Sequence, residues 1–383
     1  MLPITYAVRN LFRSKTRLIQ TIGGSALVVL LVMAAVAINQ GMTRVLSASG
    51  SPRNVILVGA GSEESIQRSE VSEKTAGIAE AGVSGISETL GVRAVSSEIH
   101  YMNYIGLPDG RRQQGMLRGV TAQALRVHPE VRLIEGTFPA AGEVMVGRLA
   151  WRKLGLAVED LKVGNTIVLD GQIMGISGIF AAPGTVLESE IWATLSDLRV
   201  MAKRETVSCV VIRLDHAEDY TEADLFAKQR LDLELSALRE SDYYDRLSAF
   251  FKPLRVMTWI TAGLIAAGAL FGGVNTLYAA FASRVREMAT LQAIGFGRIS
   301  LLFSLVQEST MASLTGALLA SVVAVGLLDG RTVPFSIGAF TVQIGPEVAI
   351  TGILTGLFLG VLGAIPPAIR CLKPSLHAAL RMN

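Results

Sequence analysis

Four long stretches without charged side chains constrain this chain more than any other feature of its sequence. A helix that crosses a membrane needs roughly 20 mainly apolar residues. The stretches are Ile19 to Ile38, Val256 to Ser283, Ile299 to Leu328 (interrupted only by Glu308) and Val348 to Ile369, and 217 residues separate the first from the second. We therefore predict an α-helical membrane protein with four transmembrane helices and a large extracytoplasmic domain between the first two.

The acidic residues are concentrated in the long intervening segment. Of the 32 acidic residues, 28 lie between Asn39 and Arg255. Only 17% of the chain is charged, whereas soluble domains carry about 25%. This distribution disfavours both a wholly soluble enzyme and a disordered protein.

The basic residues beside the apolar stretches predict the orientation of the chain, because short cytoplasmic segments carry an excess of Lys and Arg. Ten such residues share one predicted side with a single acid, Glu287, and they are Arg9, Arg13, Lys15, Arg17, Arg284, Arg286, Arg298, Arg370, Lys373 and Arg381. The short loop from Asp329 to Glu347 holds only Arg331. Both termini are therefore predicted to be cytoplasmic.

The first stretch has an alternative interpretation as a signal peptide, with Ala35 to Ala37 as a small-residue cleavage site. An apolar stretch longer than the usual ~7–15 residues favours a membrane helix instead. The preceding segment, Leu2 to Arg17, has apolar residues at helical spacing and arginines along another face. It predicts an amphipathic helix at the membrane interface, or else a simple basic anchor.

The predicted extracytoplasmic domain, residues 47–248, has the mixed pattern of an α+β fold, between a first segment at residues 1–46 and a last segment at 249–383. Helices are expected at Val71 to Glu88 and Tyr220 to Tyr244. Strands are expected at Asn54 to Val58, Thr166 to Leu169, Ile173 to Phe180 and Cys209 to Leu214. The second apolar stretch is longer than a bilayer requires, so it tilts or continues outward as a stalk.

No catalytic motif is present in the sequence. A Walker A loop is excluded because no Gly-Lys pair occurs, and neither G-x-S-x-G nor H-E-x-x-H is found. Two cysteines, Cys209 and Cys371, are too few for a disulfide framework. The four histidines lie far apart along the chain, without a short metal-ligand spacing. We therefore predict a non-catalytic chain that binds neither a metal nor a cofactor.

The loop after the second apolar stretch predicts a short amphipathic cytoplasmic helix that ends at a glycine cap. Such a helix can dock in a groove of a partner, or lie on the inner leaflet. The candidate docking residues are Arg284, Arg286, Glu287, Met288, Leu291, Ile294, Gly295 and Phe296.

The run Arg286 to Phe296 (REMATLQAIGF) resembles the signature of FtsX-like and MacB-like permeases of ABC transporters, with Glu308 at the position of a later family glutamate. The C-terminal Pro366, Arg370, Pro374 and Ala379-Leu380-Arg381 resemble the closing pattern of the same family. Gly142 to Gly147 and the following Val163-Gly164 resemble its outer domain. The resemblance covers nearly the whole chain, with small departures such as Gln292.

The resemblance implies a location in the bacterial inner membrane and a partnership with a separate cytoplasmic ABC ATPase, which would bind the ATP and Mg. It also implies a second permease chain, identical or different. A periplasmic adaptor or outer-membrane component is a further possible partner. ATP-driven closure of the ATPases would then move the outer domains, and nucleic acid is not expected as a partner.

Polar and small residues within the apolar stretches carry two further predictions. Glu308 is expensive to bury in a membrane, so it either pairs with an arginine of the loop, which we favour, or relays protons. Glycines at four-residue spacing predict close helix packing, within the chain or between two chains. They are Gly268, Gly272, Gly352, Gly356 and Gly360.

Three functions compete at this point. The first is an export permease for a lipid, lipoprotein, peptide or drug, favoured by the size of the predicted extracytoplasmic domain. The second is an FtsX-like regulator that transmits ATPase motion to an extracytoplasmic enzyme such as a cell-wall hydrolase. The third, a membrane-anchored enzyme, lacks a recognisable site.

Overall fold

A computed structural model describes residues 4–13, 15–106 and 112–374, which divide into two units. The helical unit takes in the described residues up to Gln40, together with Pro253–Arg331 and those from Val342 onward. The α+β unit takes in the described residues of Gly41–Lys252, together with Thr332–Thr341. Residues 2, 3 and 14 of the predicted N-terminal helix, and the closing Ala-Leu-Arg pattern at 379–381, lie outside the described residues.

Twelve α-helices occur in the described residues. They are α1 (Ile4–Arg13), α2 (Lys15–Ser49), α3 (Thr75–Gly82), α4 (Ala124–Val127), α5 (Ala150–Leu154), α6 (Leu195–Met201), α7 (Tyr220–Gln229), α8 (Glu240–Phe250), α9 (Lys252–Ala282), α10 (Val285–Ala293), α11 (Arg298–Leu327) and α12 (Pro346–Leu372).

Fourteen strands occur in the same residues. They are β1 (Asn54–Gly59), β2 (Glu88–Thr89), β3 (Val92–Arg93), β4 (Val95–Gly106), β5 (Arg112–Val120), β6 (Arg132–Gly136), β7 (Glu143–Gly147), β8 (Thr166–Leu169), β9 (Gln172–Ala181), β10 (Ile191–Thr194), β11 (Cys209–Arg213), β12 (Leu235–Arg239), β13 (Thr332–Phe335) and β14 (Gly338–Thr341).

Four of the described helices, α2, α9, α11 and α12, are long and apolar enough to cross a membrane. With 35 residues, α2 is about 52 Å long, and α9, with 31 residues, is about 46 Å long, against a hydrocarbon core of ~30 Å. The sequence predicted excess length for the second stretch, and the structure shows it in the first as well.

The α+β unit is built on a ten-stranded sheet in the order β12-β1-β11-β4-β5-β10-β7-β9-β6, with β8 paired to both β4 and β9. Through β8, the strands β4, β5, β10, β7 and β9 form a closed ring. The β5–β10 and β7–β9 pairs are parallel and the others are antiparallel. The α+β class predicted from the sequence is therefore confirmed.

Side chains alternate between the two faces of this sheet, as they must along a strand. One face carries the larger apolar core, to which Val55, Leu57, Ile99, Leu117, Val144, Ile191 and Val210 contribute. The other face carries two smaller apolar clusters. Between them lie buried polar side chains, including Glu98, Arg118 and His128.

The predicted strands agree with the structure, but the predicted helix from Tyr220 to Tyr244 was wrong. That segment forms α7, then β12, then the start of α8. The helix α7 ends at Gln229, and Glu234 adopts a left-handed conformation with φ of 47° just before β12. The next residues, from Leu235, pair with β1, so tertiary pairing overrides the helical spacing of the leucines.

The predicted helix from Val71 to Glu88 is also shorter than expected. Only α3 is helical, because Val71 is bridged to Val207 and Gly85 turns the chain with φ of 74°. Glu88 begins β2 instead.

A β-hairpin formed by β13 and β14 joins α11 to α12 and belongs to the α+β unit. Lys153 Nζ donates hydrogen bonds to the carbonyls of Phe335 and Ser336, at 2.6 and 2.9 Å. The backbone N–H of Ala339 donates to Ser189 Oγ at 3.0 Å. From the sequence, these residues were expected to form a plain loop within the last part of the chain, at 249–383.

Candidate coupling helix and its ion-pair network

The short helix α10 lies between α9 and α11, where the sequence predicted an amphipathic helix. It ends before Gly295, whose φ of 107° requires a residue without a side chain. Met288, only 2% exposed, packs into a cluster with α9, α11 and α12, and Leu291 and Phe296 pack partly against that cluster. Most of the predicted apolar face is therefore occupied by the chain's own helices.

The exposed edge of α10 is narrower and more polar than the sequence indicated. Arg286 and Thr290 are exposed, and they are followed by Ala293 and the 71% exposed Ile294. An arginine and an apolar side chain on one edge can bind a groove that offers an acidic and an apolar surface. These exposed residues are the candidates for a contact with a partner.

Arg284 anchors the start of α10 through two carboxylates. Its Nη1 lies 2.8 Å from Glu308 Oε2 of α11, and its Nε lies 3.3 Å from Glu287 Oε2. Both members of the Arg284–Glu308 pair are buried. The structure thus brings Glu308 together with an arginine of the loop, the arrangement that we favoured for it.

Glu287 also connects α10 to the N-terminal helix α1. Tyr6 donates its hydroxyl to Glu287 Oε1 at 2.8 Å, and Arg13 Nη1 lies 3.4 Å from Oε2. Burial alone would raise the pKa of Glu287, but the hydrogen bond from Tyr6 and the charge of Arg284 lower it below its usual range. Burial raises the pKa of Tyr6, so this phenol stays protonated and donates to an ionised carboxylate.

The predicted glycine ridge of α12 lies in close contact with neighbouring helices. A Cβ on Gly356 would lie 2.6 Å from Ala317 Cβ, and one on Gly360 would lie 2.7 Å from Thr310 Cα. On Gly352 it would meet the flexible side chain of Met33 at 2.7 Å. The α11–α12 packing therefore depends on the missing side chains at Gly356 and Gly360.

The other two predicted packing glycines, Gly268 and Gly272 of α9, have no described atom within 4 Å of the Cβ they lack. A close approach that the sequence did not single out occurs at Gly316 of α11. There, a Cβ would lie 2.6 Å from the carbonyl oxygen of Ile22 in α2.

A cavity of about 440 Å³ opens among α2, α9, α11 and α12. Glycines and hydroxyl side chains form much of its wall, including Thr21, Ser25, Thr276 and Ser309. Of the residues that line it, only Gly272 was predicted from the sequence, as a packing glycine. Hydroxyls in apolar helices would be the sequence signal for such a cavity, but single serines and threonines usually bond their own helix backbone, as Ser25 does here.

Comparisons with known proteins agree with this architecture. Residues 18–224 match the MacB-like periplasmic core domain family, and residues 259–376 match the FtsX-like permease C-terminal family. The chain is 22% identical to the uncharacterized ABC transporter permease YknZ of Bacillus subtilis (strain 168), over 99% of this chain and 98% of the relative.

Two solved structures are similar to part of the chain. One is the periplasmic region of MacB from Actinobacillus actinomycetemcomitans, with 10% identity, a TM-score of 0.39 and coverage of 52% of this chain and 94% of that one. The other is the extracellular domain of the noncanonic ABC-type transporter YknZ from Gram-positive bacteria, with 13% identity, a TM-score of 0.38 and coverage of 48% and 99%. Since the first family match alone spans more than half of its residues, the chain belongs to the MacB-like, FtsX-like family of ABC transporter permeases.

Proposed function

We propose that this chain is a permease subunit that crosses the inner membrane four times, with both termini in the cytoplasm and the α+β unit outside it. A separate cytoplasmic ATPase hydrolyses ATP, and its motion is transmitted through this chain to the α+β unit for export of a lipid, lipoprotein, peptide or drug. The match of residues 18–224 to a MacB-like periplasmic core favours export over regulation of an external enzyme.

The observation that carries the proposal is the fixed position of α10. Its inner face packs on three membrane-length helices, and Arg284 and Glu287 tie it to α11 and α1. A force applied to the exposed edge of α10 therefore passes into the helices instead of bending a free loop. This is the property that a coupling element between a motor and a membrane unit requires.

The test alters only the exposed edge of α10. In full-length chain, Arg286→Glu combined with Ile294→Asp should abolish copurification of the ATPase that wild type captures, because the charge is reversed and the apolar contact is lost. Arg331→Glu, an exposed charge reversal in the loop after α11, serves as the matched control and should leave capture unchanged. Undiminished capture by the double variant would contradict the docking role of α10.

A second permease chain is the other partner in this proposal. The central stretch of α9 is almost entirely unburied and exposes large apolar side chains, among them Ile260, Leu264 and Phe271. Leu264→Cys should form a disulfide between two chains, whereas Leu319→Cys, on the exposed face of α11, should not. If only the Leu319→Cys variant forms the disulfide, the dimer contact lies on α11 and the proposed contact through α9 is contradicted.

A further inference from the structure

The four membrane-length helices surround an uncharged cavity. Its volume of about 440 Å³ falls within the range of about 300–1,000 Å³ that is usual for pockets that bind small molecules. Among the described residues, no charged side chain lines it. The core of a bilayer holds no water that could fill such a space, and an unfilled void forfeits dispersion contacts on every wall. An apolar occupant from the bilayer is therefore expected.

The cavity lies in one half of the helical unit, at the end where α10 connects α9 to α11. Its wall on α2 runs from Gln20 to Val28 and begins five residues after the start of that helix. Its wall on α9 runs from Ala269 to Leu277 and stops five residues before the end of that helix. Each wall is about 12 Å long at ~1.5 Å per residue. This length is close to the ~15 Å depth of one leaflet in a hydrocarbon core of ~30 Å.

Hydroxyl side chains are concentrated at the end of the cavity nearest α10. Thr21 and Thr276 each lie six residues from the corresponding ends of α2 and α9. Ser309 follows Glu308, which pairs with an arginine just after α9, so Ser309 lies at the level of that helix end. The opposite end of the cavity is apolar and is lined by Val28, Ala269 and Leu270.

Two serines of α11 give the polar end unused capacity for hydrogen bonds. Ser309 and Ser313 line the cavity and are only 5% and 3% exposed. Neither hydroxyl makes a hydrogen bond to a described residue, whereas those of Ser25 and Thr276 bond their own helix backbone. A buried hydroxyl without a partner is costly, and an ester carbonyl would accept from these two. A carboxylate or phosphate is disfavoured, because no cation lines the cavity to pair with it.

The cavity is accessible from the side at α9, the least buried of the four membrane-length helices. Gly272 and Gly273 line the cavity and are themselves exposed. A Cβ on either glycine would meet no described atom within 4 Å. Leu264, the proposed dimer contact, precedes Gly273 by nine positions, or about two and a half helical turns, so it faces the other side of α9. A lipid can therefore enter beside α9 without competing for that contact.

We propose that this cavity binds one acyl chain of a membrane glycerophospholipid. The apolar tail lies against Val28 and Leu270, and the ester carbonyl accepts hydrogen bonds from Ser309 and Ser313. The lipid fills the space that the four helices leave between them. The site rests on the proposed membrane location of these helices, but not on ATPase coupling or on the exported substrate.

The test is photolabelling of the full-length chain in vesicles of phosphatidylglycerol and phosphatidylethanolamine. The vesicles contain a trace of phosphatidylglycerol with a diazirine in one acyl chain, and mass spectrometry locates the adducts. Wild type should be labelled on Val28, because this side chain is only 3% exposed and lines the cavity.

Substituted glycines on two walls then fill the cavity. Gly273→Leu on α9 and Gly24→Leu on α2 should each abolish the label on Val28, because each places a side chain in open space within the cavity. Gly268→Leu is the matched control. Its surroundings on α9 are equally open, but it does not line the cavity, so the label should stay unchanged.

Three outcomes would overturn the site: an unlabelled Val28 in wild type, a label that persists in either filled variant, or a label lost in Gly268→Leu. A disulfide between two chains that forms in Leu270→Cys as readily as in Leu264→Cys would show that a second copy fills the cavity, and would also refute the lipid. Alkaline extraction first confirms that each variant stays in the membrane, so a lost label reports the cavity. Wild type that captures the ATPase but is not labelled on Val28 would refute the lipid site and leave the proposed function standing.

Discussion

The buried pair of Arg284 and Glu308 predicts strongly non-additive mutational effects at the start of α10. Glu308→Leu leaves a buried guanidinium with Glu287 at 3.3 Å as its remaining charged contact among the described residues. Removing one partner of a buried pair typically costs about 3–5 kcal/mol. We expect the lower end for Glu308→Leu, because Glu287 still compensates part of the charge.

Arg284→Met should destabilise by a similar amount, because it leaves a carboxylate in a membrane-length helix without its guanidinium. The double variant replaces both charges with apolar side chains of similar size. Such replacements are often close to neutral, so we expect it to lose less than the two single variants together by at least ~2 kcal/mol.

A double-mutant cycle on the free energy of unfolding in detergent micelles measures this coupling. Additive losses, within about 0.5 kcal/mol, would refute the reasoning that the pair acts as a unit. The same double variant separates the two roles considered for Glu308. If Glu308 serves only as a structural partner of Arg284, the double variant should regain the stimulation of the partner ATPase that the single variants lose. If Glu308 relays protons, the double variant should be stable but should not stimulate the ATPase.

Three further outcomes follow from the packing and the buried charges. Gly360→Ala should lower the free energy of unfolding by up to ~2 kcal/mol, because overpacking against Thr310 (about 1–3 kcal/mol) outweighs the helix propensity gained. Gly272→Ala, its matched control in open space, should leave stability unchanged or raise it by up to ~1 kcal/mol. Glu190→Gln should lower the free energy of unfolding at pH 7 by about 3 kcal/mol, since Arg118 loses the carboxylate that holds two of its nitrogens. Burial would raise the pKa of Glu190, but the charge of Arg118 lowers it below its usual value. The stabilisation that Glu190 contributes is therefore present above pH ~4.3 and is lost as the pH falls. In acid titrations followed by circular dichroism, the Glu190→Gln variant should lose stability less steeply than wild type.

The membrane-length helices were predictable because their signal is local. An uncharged run of about 20 residues has few alternatives, and a membrane-length helix overlaps each of the four predicted stretches. The ends of α2 and α9 were not predictable in the same way. Polar residues such as Lys15 and Lys252 extend both helices beyond the apolar run, and nothing in a hydropathy pattern marks where such an extension stops.

The sequence correctly predicted that α10 has an apolar face, but it did not predict what that face contacts. Met288 and Leu291 were correctly assigned to an apolar face. The sequence could not tell whether that face contacts a partner or the chain's own helices, because both satisfy the same pattern. Only the packing against α9, α11 and α12 leaves Arg286 and Ile294 as the exposed edge.

The buried charged residues of the α+β unit show a stricter limit on what can be predicted from the sequence. Glu98 and His100 read in sequence as the solvent face of an alternating strand, since the intervening Ile99 supplies the core. They are buried because a second layer, which includes His128 and α8, covers that face. Whether a polar face meets water or a second layer depends on residues distant in the chain, and so does the pairing of Glu98 with Cys209 across 111 positions. Residue spacing along the chain therefore says little about a buried polar cluster of this kind, because its side chains are brought together by strand register and not by proximity in sequence.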